Sequence, residues 1–147
     1  KDFLQKYFKK ELFFTDVEGK TKDEVLKNLC RKVEQEKGLP ETFTASVLKR
    51  EELTPTDYGN LVALPHPERA FQERAFVAVA VLKEPIFWFR QKVQVVFLTA
   101  IGREEDENLQ QFYEATTDLI LRPADVQNLI RHPDYDRLIQ LLRRAEE

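Results

Sequence analysis

Residues 76–99 read FVAVAVLKEPIFWFRQKVQVVFLT. Phe76–Val81 is almost pure β-former, and Val93–Thr99 is a second run of the same kind. Lys83–Trp88 between them reads as an edge segment or a turn, because Pro85 has no N–H to give to a ladder. Upstream, Leu61–Leu64 is a short apolar run stopped by Pro65, the pattern of a brief buried strand. Thr54–Asn60 before it is turn chemistry throughout. Glu11–Thr15 is an apolar-aromatic run, read as a strand or a helix end.

Helix signals alternate with these strands. Thr21 and Glu24 form a capping box; Val25, Leu26, Leu29, Cys30 and Val33 follow at helical spacing, and Gly38 stands where a glycine ends a helix. A second helix is expected from Pro40 to about Leu53, with Phe43, Val47 and Leu48 inward. After Gly102, the acidic residues 104–107 suit a first helical turn, because carboxylates are favoured at the positive end of the helix dipole. Two closing helices are expected from Pro123 to Arg131 and from Pro133 to Arg144. The interleaving predicts an α/β fold with a central mixed sheet flanked by helices.

With 147 residues, 42% hydrophobic and 33% charged, the chain suits a single domain over residues 1–147. Eleven Phe and one Trp supply the bulk for a core without disulfides or metal. A net charge of −3 carries no footprint of direct nucleic-acid binding. No apolar run approaches the roughly 20 residues that cross a bilayer, so no membrane insertion is expected. Cys30 is the one cysteine, which excludes an intrachain disulfide and leaves no basis for a cysteine zinc site; it reads as a small buried hydrophobe. The chain starts at Lys1 without a Met, and the expectation is a domain cut from a longer protein.

The chemistry narrows to two histidines, each beside a proline. His132, in IRHPDYD between the last two helices, reads as a turn residue. His66 follows a strand that stops at Pro65, which places it at the carboxyl edge of a sheet, where α/β folds hold reactive groups. A neutral imidazole is a competent nucleophile toward phosphorus. A Pro-His pair by itself reads equally as a turn.

The wider segment Phe43–Pro67, FTASVLKREELTPTDYGNLVALPHP, resembles the signature region of mannitol/fructose-type enzyme IIA proteins of the bacterial phosphotransferase system. The matched elements are the Arg50-Glu51 pair, the Thr56–Asn60 turn and the motif Val62-Ala63-Leu64-Pro65-His66, and the resemblance runs on loosely through VQVVFLTAI and the closing helices. It implies that His66 is the phosphoryl acceptor and that Arg50 offers a guanidinium fork to the phosphoryl oxygens. Gly59 then permits the tight turn and Asn60 is held by turn hydrogen bonds. Thr56 either adds a hydroxyl to the anion site or forms an ordinary turn.

Two departures refine the resemblance. Asn108 stands where many transport-type members carry a second histidine, so phosphate would be met by a hydrogen-bond donor without positive charge; Leu61 replaces a glycine often found there. Together with KEPIFWFRQKVQVVFL, these features resemble the enzyme IIA-like domain of sugar-operon regulators. The resemblance implies a cytoplasmic protein, partners in the phosphocarrier HPr or a IIB domain and in other domains of its own chain, and no metal or organic cofactor. Homodimerisation is left open. Three uses of the scaffold are open: a regulatory module, a transport enzyme IIA that relays phosphate from HPr to IIB, or a binding domain in which His66 is structural.

Overall fold

A computed structural model describes residues 2–146. In chain order the elements are α1 (Asp2–Tyr7), β1 (Phe8–Phe14), α2 (Lys22–Lys37), α3 (Thr42–Leu53), β2 (Asp57–Gly59), β3 (Val62–Ala63), β4 (Phe76–Phe87), β5 (Lys92–Ala100), α4 (Leu109–Ile120), α5 (Pro123–Arg131) and α6 (Tyr135–Glu146). The strands form one mixed sheet in the order β1-β4-β5-β3-β2. β4 and β5 are antiparallel, whereas β1 runs parallel to β4 and β3 parallel to β5. The α/β expectation of a mixed sheet between helices is borne out.

The continuous apolar character of Phe76–Val81 has a direct cause: both faces of the sheet are buried. Val77, Val79, Val81, Val95 and Phe97 pack with α1, α4, α5 and α6. Phe76, Ala78, Ala80, Leu82, Val96 and Leu98 pack with α2 and α3. The α2 caps form as expected, with Thr21 Oγ1 accepting from the Glu24 amide at 3.2 Å and Gly38 in the left-handed region at φ 67°. Glu24 completes the box one residue further out, accepting from the Lys20 amide at 2.8 Å. Cys30 is buried in this layer, and burial pushes its thiol up to about 12, so it is inert as a nucleophile.

Three expectations are corrected, and one element is added. Residues 83–87 belong to β4; the pairing with β5 slips between Val81 and Ile86, and Pro85 sits inside that unpaired stretch, where its missing N–H costs nothing. Asp57–Gly59, expected as turn, forms the short edge strand β2. The acidic residues 104–107 precede α4 instead of forming its first turn, with Asp106 Oδ1 accepting from the Asn108 amide at 2.9 Å. α1 at residues 2–7 carried no helical signal on its own; it forms because Leu4 and Tyr7 are fully buried against α4, with Tyr7 stacked on Phe112 at 4.7 Å.

Candidate functional site

β3 ends at Ala63, but its alignment with β5 continues for two more residues, because the Pro65 carbonyl accepts from the Thr99 amide at 3.0 Å. His66 therefore leaves the sheet at the carboxyl end of the parallel β3/β5 pair, half-buried, between the buried prolines 65 and 67. Its Nδ1 lies 3.3 Å from the carbonyl oxygen of Leu64. A carbonyl only accepts, so this contact favours the neutral tautomer that carries its proton on Nδ1 and leaves the lone pair on Nε2. The imidazole opens on a cavity of about 250 Å³ walled by Thr99 and Ile101 from the end of β5 and by Phe112, Tyr113 and Thr116 from α4. Ile101 and Tyr113 form an exposed apolar rim. Burial raises the Tyr113 phenol above its ordinary range, so it stays neutral.

On the other face of the sheet lies α3. Ser46 Oγ accepts from the Glu68 amide at 2.7 Å, which ties the helix to the segment just past His66. Arg50 lies one helical turn beyond Ser46 on the same face. Its Nη1 donates to the Thr54 carbonyl at 3.0 Å, engaging one of five guanidinium donors. No hydrogen bond joins Arg50 and His66 among the described residues.

The remaining expected residues have structural work. Gly59 has φ 118° and Asn60 and Leu61 have φ 53° and 69°, so the chain reverses between β2 and β3 through left-handed backbone. Asn60 Nδ2 donates to the Ile120 carbonyl at 2.6 Å, capping the end of α4; its partner is a distant helix, not its own turn. The Thr56 hydroxyl donates to Glu51 Oε1 at 2.7 Å and is not turned toward His66. Asn108 is half-buried immediately before α4, one turn ahead of the cavity residue Phe112. Its neighbour Asp106 is held below the usual carboxylate range, first by the Tyr7 hydroxyl and then by the Asn108 amide and Lys6.

Sequence reasoning passed over Ser46, the Leu64 carbonyl, Trp88 and the role of Glu51. Glu51 is 2% exposed, and its carboxylate collects the Thr56 amide, the Thr56 hydroxyl and the Trp88 indole N–H. The one signal available in the sequence was a glutamate set on the inward face of a helix, four residues beyond Val47.

Comparison with known proteins bears on the family and the fold. The "Probable licABCH operon regulator" of Bacillus subtilis (strain 168) is 36% identical over 138 residues, 94% of this chain and 22% of the relative. "Transcriptional regulator ManR" of the same organism is 27% identical over 120 residues, 82% of this chain and 18% of the relative. The chain thus spans about a fifth of the length of these curated relatives. Among solved structures, the Escherichia coli complex of enzyme IIAMTL and phosphorylated enzyme IIBMTL matches with a TM-score of 0.74 at 18% identity, covering 92% of this chain and 97% of that one. No helix among the described residues is long and apolar enough to cross a membrane. The family model for "Phosphoenolpyruvate-dependent sugar phosphotransferase system, EIIA 2" matches residues 6–145, nearly the whole chain, and on that match the chain belongs to the EIIA 2 family.

Proposed function

We propose that His66 is the phosphoryl acceptor of a cytoplasmic regulatory module of the sugar phosphotransferase system. The observation that carries this reading is the pairing of Nδ1 with the Leu64 carbonyl, which leaves Nε2 as the nucleophile at the mouth of a cavity. The Nε2 lone pair attacks the phosphorus of a donor phosphohistidine, as on HPr. The P–N bond to the donor breaks, and the donor imidazole leaves with that electron pair. Arg50 swings from the exposed Thr54 carbonyl to the phosphoryl oxygens, exchanging a neutral acceptor for an anionic one. A regulatory use, rather than transport, is supported by the names of the two curated relatives and by Asn108, which offers no second imidazole for onward transfer. The phosphoryl group adds roughly two negative charges, enough to reset contacts with neighbouring domains of the same chain.

The test is incubation with phosphoenolpyruvate, enzyme I and HPr, followed by measurement of acid-labile label. The expected result is one label per chain, absent from His66→Ala and taken up at least tenfold more slowly by Arg50→Ala. Equal labelling of His66→Ala would overturn the assignment. Rapid onward transfer to a IIB domain would favour the transport reading.

A further inference from the structure

We propose that Glu51 is the positioning residue of the His66 site, acting through Thr56 and Leu64. The inference rests on the reading of His66 as acceptor and adds to it the device that prepares the imidazole.

An unbroken series of hydrogen bonds runs from the far end of the β4–β5 hairpin to the imidazole. The Trp88 indole N–H donates to Glu51 Oε2 at 2.9 Å. The same carboxylate accepts from the Thr56 amide at 2.8 Å and the Thr56 hydroxyl at 2.7 Å. The Thr56 carbonyl accepts from the Leu64 amide at 3.0 Å, and the Leu64 carbonyl accepts from His66 Nδ1 at 3.3 Å. The buried carboxylate joins Trp88 to Thr56, and backbone carbonyls carry the series on to Leu64 and His66.

A stability role alone does not account for Glu51. Burying a carboxylate is costly, and well-packed apolar side chains usually serve a core as well or better. Lys22 Nζ, 3.7 Å away, compensates the charge only in part. What the carboxylate supplies is geometry. Three donors from two residues, Thr56 and Trp88, fix its plane, and the plane fixes the height of Thr56 against β3. The last bond in the series gives that height its importance. At 3.3 Å it lies beyond the usual 2.7–3.2 Å range for N–H···O, so a retreat of a few tenths of an ångström by the Leu64 carbonyl breaks it. Once it breaks, Nδ1 is free to lose its proton to Nε2, and the ring then presents N–H instead of a lone pair to the cavity. Glu51 touches neither His66 nor a phosphoryl group; it acts by keeping Leu64 in place.

The experiment reads the imidazole directly, before any phosphate is added. His66 is observed by two-bond 1H–15N correlation in the whole domain at about pH 8.5, two units above the ordinary imidazole pKa. His132→Gln leaves a single histidine. Wild-type protein is expected to hold the proton on Nδ1. Glu51→Gln, which reverses the Thr56 hydroxyl bond and leaves the Thr56 amide and Trp88 indole a neutral, weaker acceptor, is expected to lower the Nδ1–H to Nε2–H ratio at least threefold. Its phosphorylation is expected to slow by at least tenfold. Thr56→Val, which removes only the hydroxyl bond, should shift both readouts in the same direction by a smaller factor, and it serves if Glu51→Gln fails to fold. A folded variant with the wild-type tautomer ratio overturns the proposal. A shifted ratio in a domain that takes no label upholds the relay and removes the acceptor assignment instead.

Discussion

Asn60 gives the sharpest test of how the site's scaffold is held. Its side chain donates to the last carbonyl of α4 at 2.6 Å, and its backbone sits at φ 53°. Replacing it with Ala removes both contributions. Loss of the hydrogen bond costs about 1 kcal/mol, and forcing a Cβ-branchless but non-glycine residue into the left-handed region costs about 1 kcal/mol more. Asn60→Ala should therefore lose about 2 kcal/mol, or about 4–8 °C in Tm for a domain of this size. Asn60→Gly keeps the backbone and loses only the bond, so it should lose about 1 kcal/mol. Asn60→Asp has the same shape but sets a carboxylate against a carbonyl at the negative end of a helix, so it should be at least as damaging as alanine. Urea unfolding followed by the fluorescence of Trp88, the one tryptophan and a buried one, measures all three on the same footing. If glycine proves as costly as alanine, the backbone argument is wrong. If alanine costs nothing, the link between the β2–β3 turn and α4 does not contribute to stability.

Leu61 occupies φ 69°, where glycine is free of strain, so Leu61→Gly should leave stability unchanged or raise it by up to about 1 kcal/mol in the same urea assay. A Cβ on Gly102 would land on the Glu73 carbonyl and close to the backbone of residues 74 and 75; Gly102→Ala should cost about 1–3 kcal/mol and speed amide exchange at the start of α4. The depressed carboxyl of Asp106 stabilises the fold fully above its unfolded pKa of about 4, and that contribution is lost as pH falls through the lower folded value. Tyr7, raised first by burial and then by Asp106, works in the other direction: its contribution is complete below its unfolded pKa of about 10 and fades at higher pH. Stability against pH should accordingly fall off at both ends, and Asp106→Asn should flatten the acid limb; an unchanged acid limb would dismiss the stabilisation of the Asp106 carboxylate by its neighbours.

What was legible in the sequence was what local chemistry decides. The capping box at Thr21 and Glu24, the glycine at position 38 and the apolar run of Phe76–Val81 each announce their element without help from elsewhere. The position of His66 at the end of a strand was legible for the same reason, since Pro65 marks the strand's close. The missed features depend on distant partners. α1 exists because Tyr7 finds Phe112, and the strand β4 runs past Pro85 because β5 supplies partners again at Ile86 and Phe87. Glu51 entered the reading only as half of the Arg50-Glu51 pair, with no role of its own. Only the approach of Trp88, 37 positions on, turns it into a buried hub. Thr56 and Asn60 were grouped with the phosphate site by their place in the motif, whereas the fold directs them to Glu51 and Ile120.

The place of β1 has a consequence for synthesis. It is an edge strand, and its sheet partner is β4 alone, with Phe8 opposite Val77. At a translation rate of about 5–20 residues per second, β1 waits roughly 3–14 seconds after leaving the ribosome before that partner is made. During this interval FKKELFF is an unpaired, aromatic-rich segment of the kind that seeds aggregation. Lys9, Lys10 and Glu11, all exposed in the finished fold, interrupt its apolar residues with charge. Charge at these positions is expected to disfavour pairing between nascent chains, and uncharged replacements should raise aggregation during synthesis.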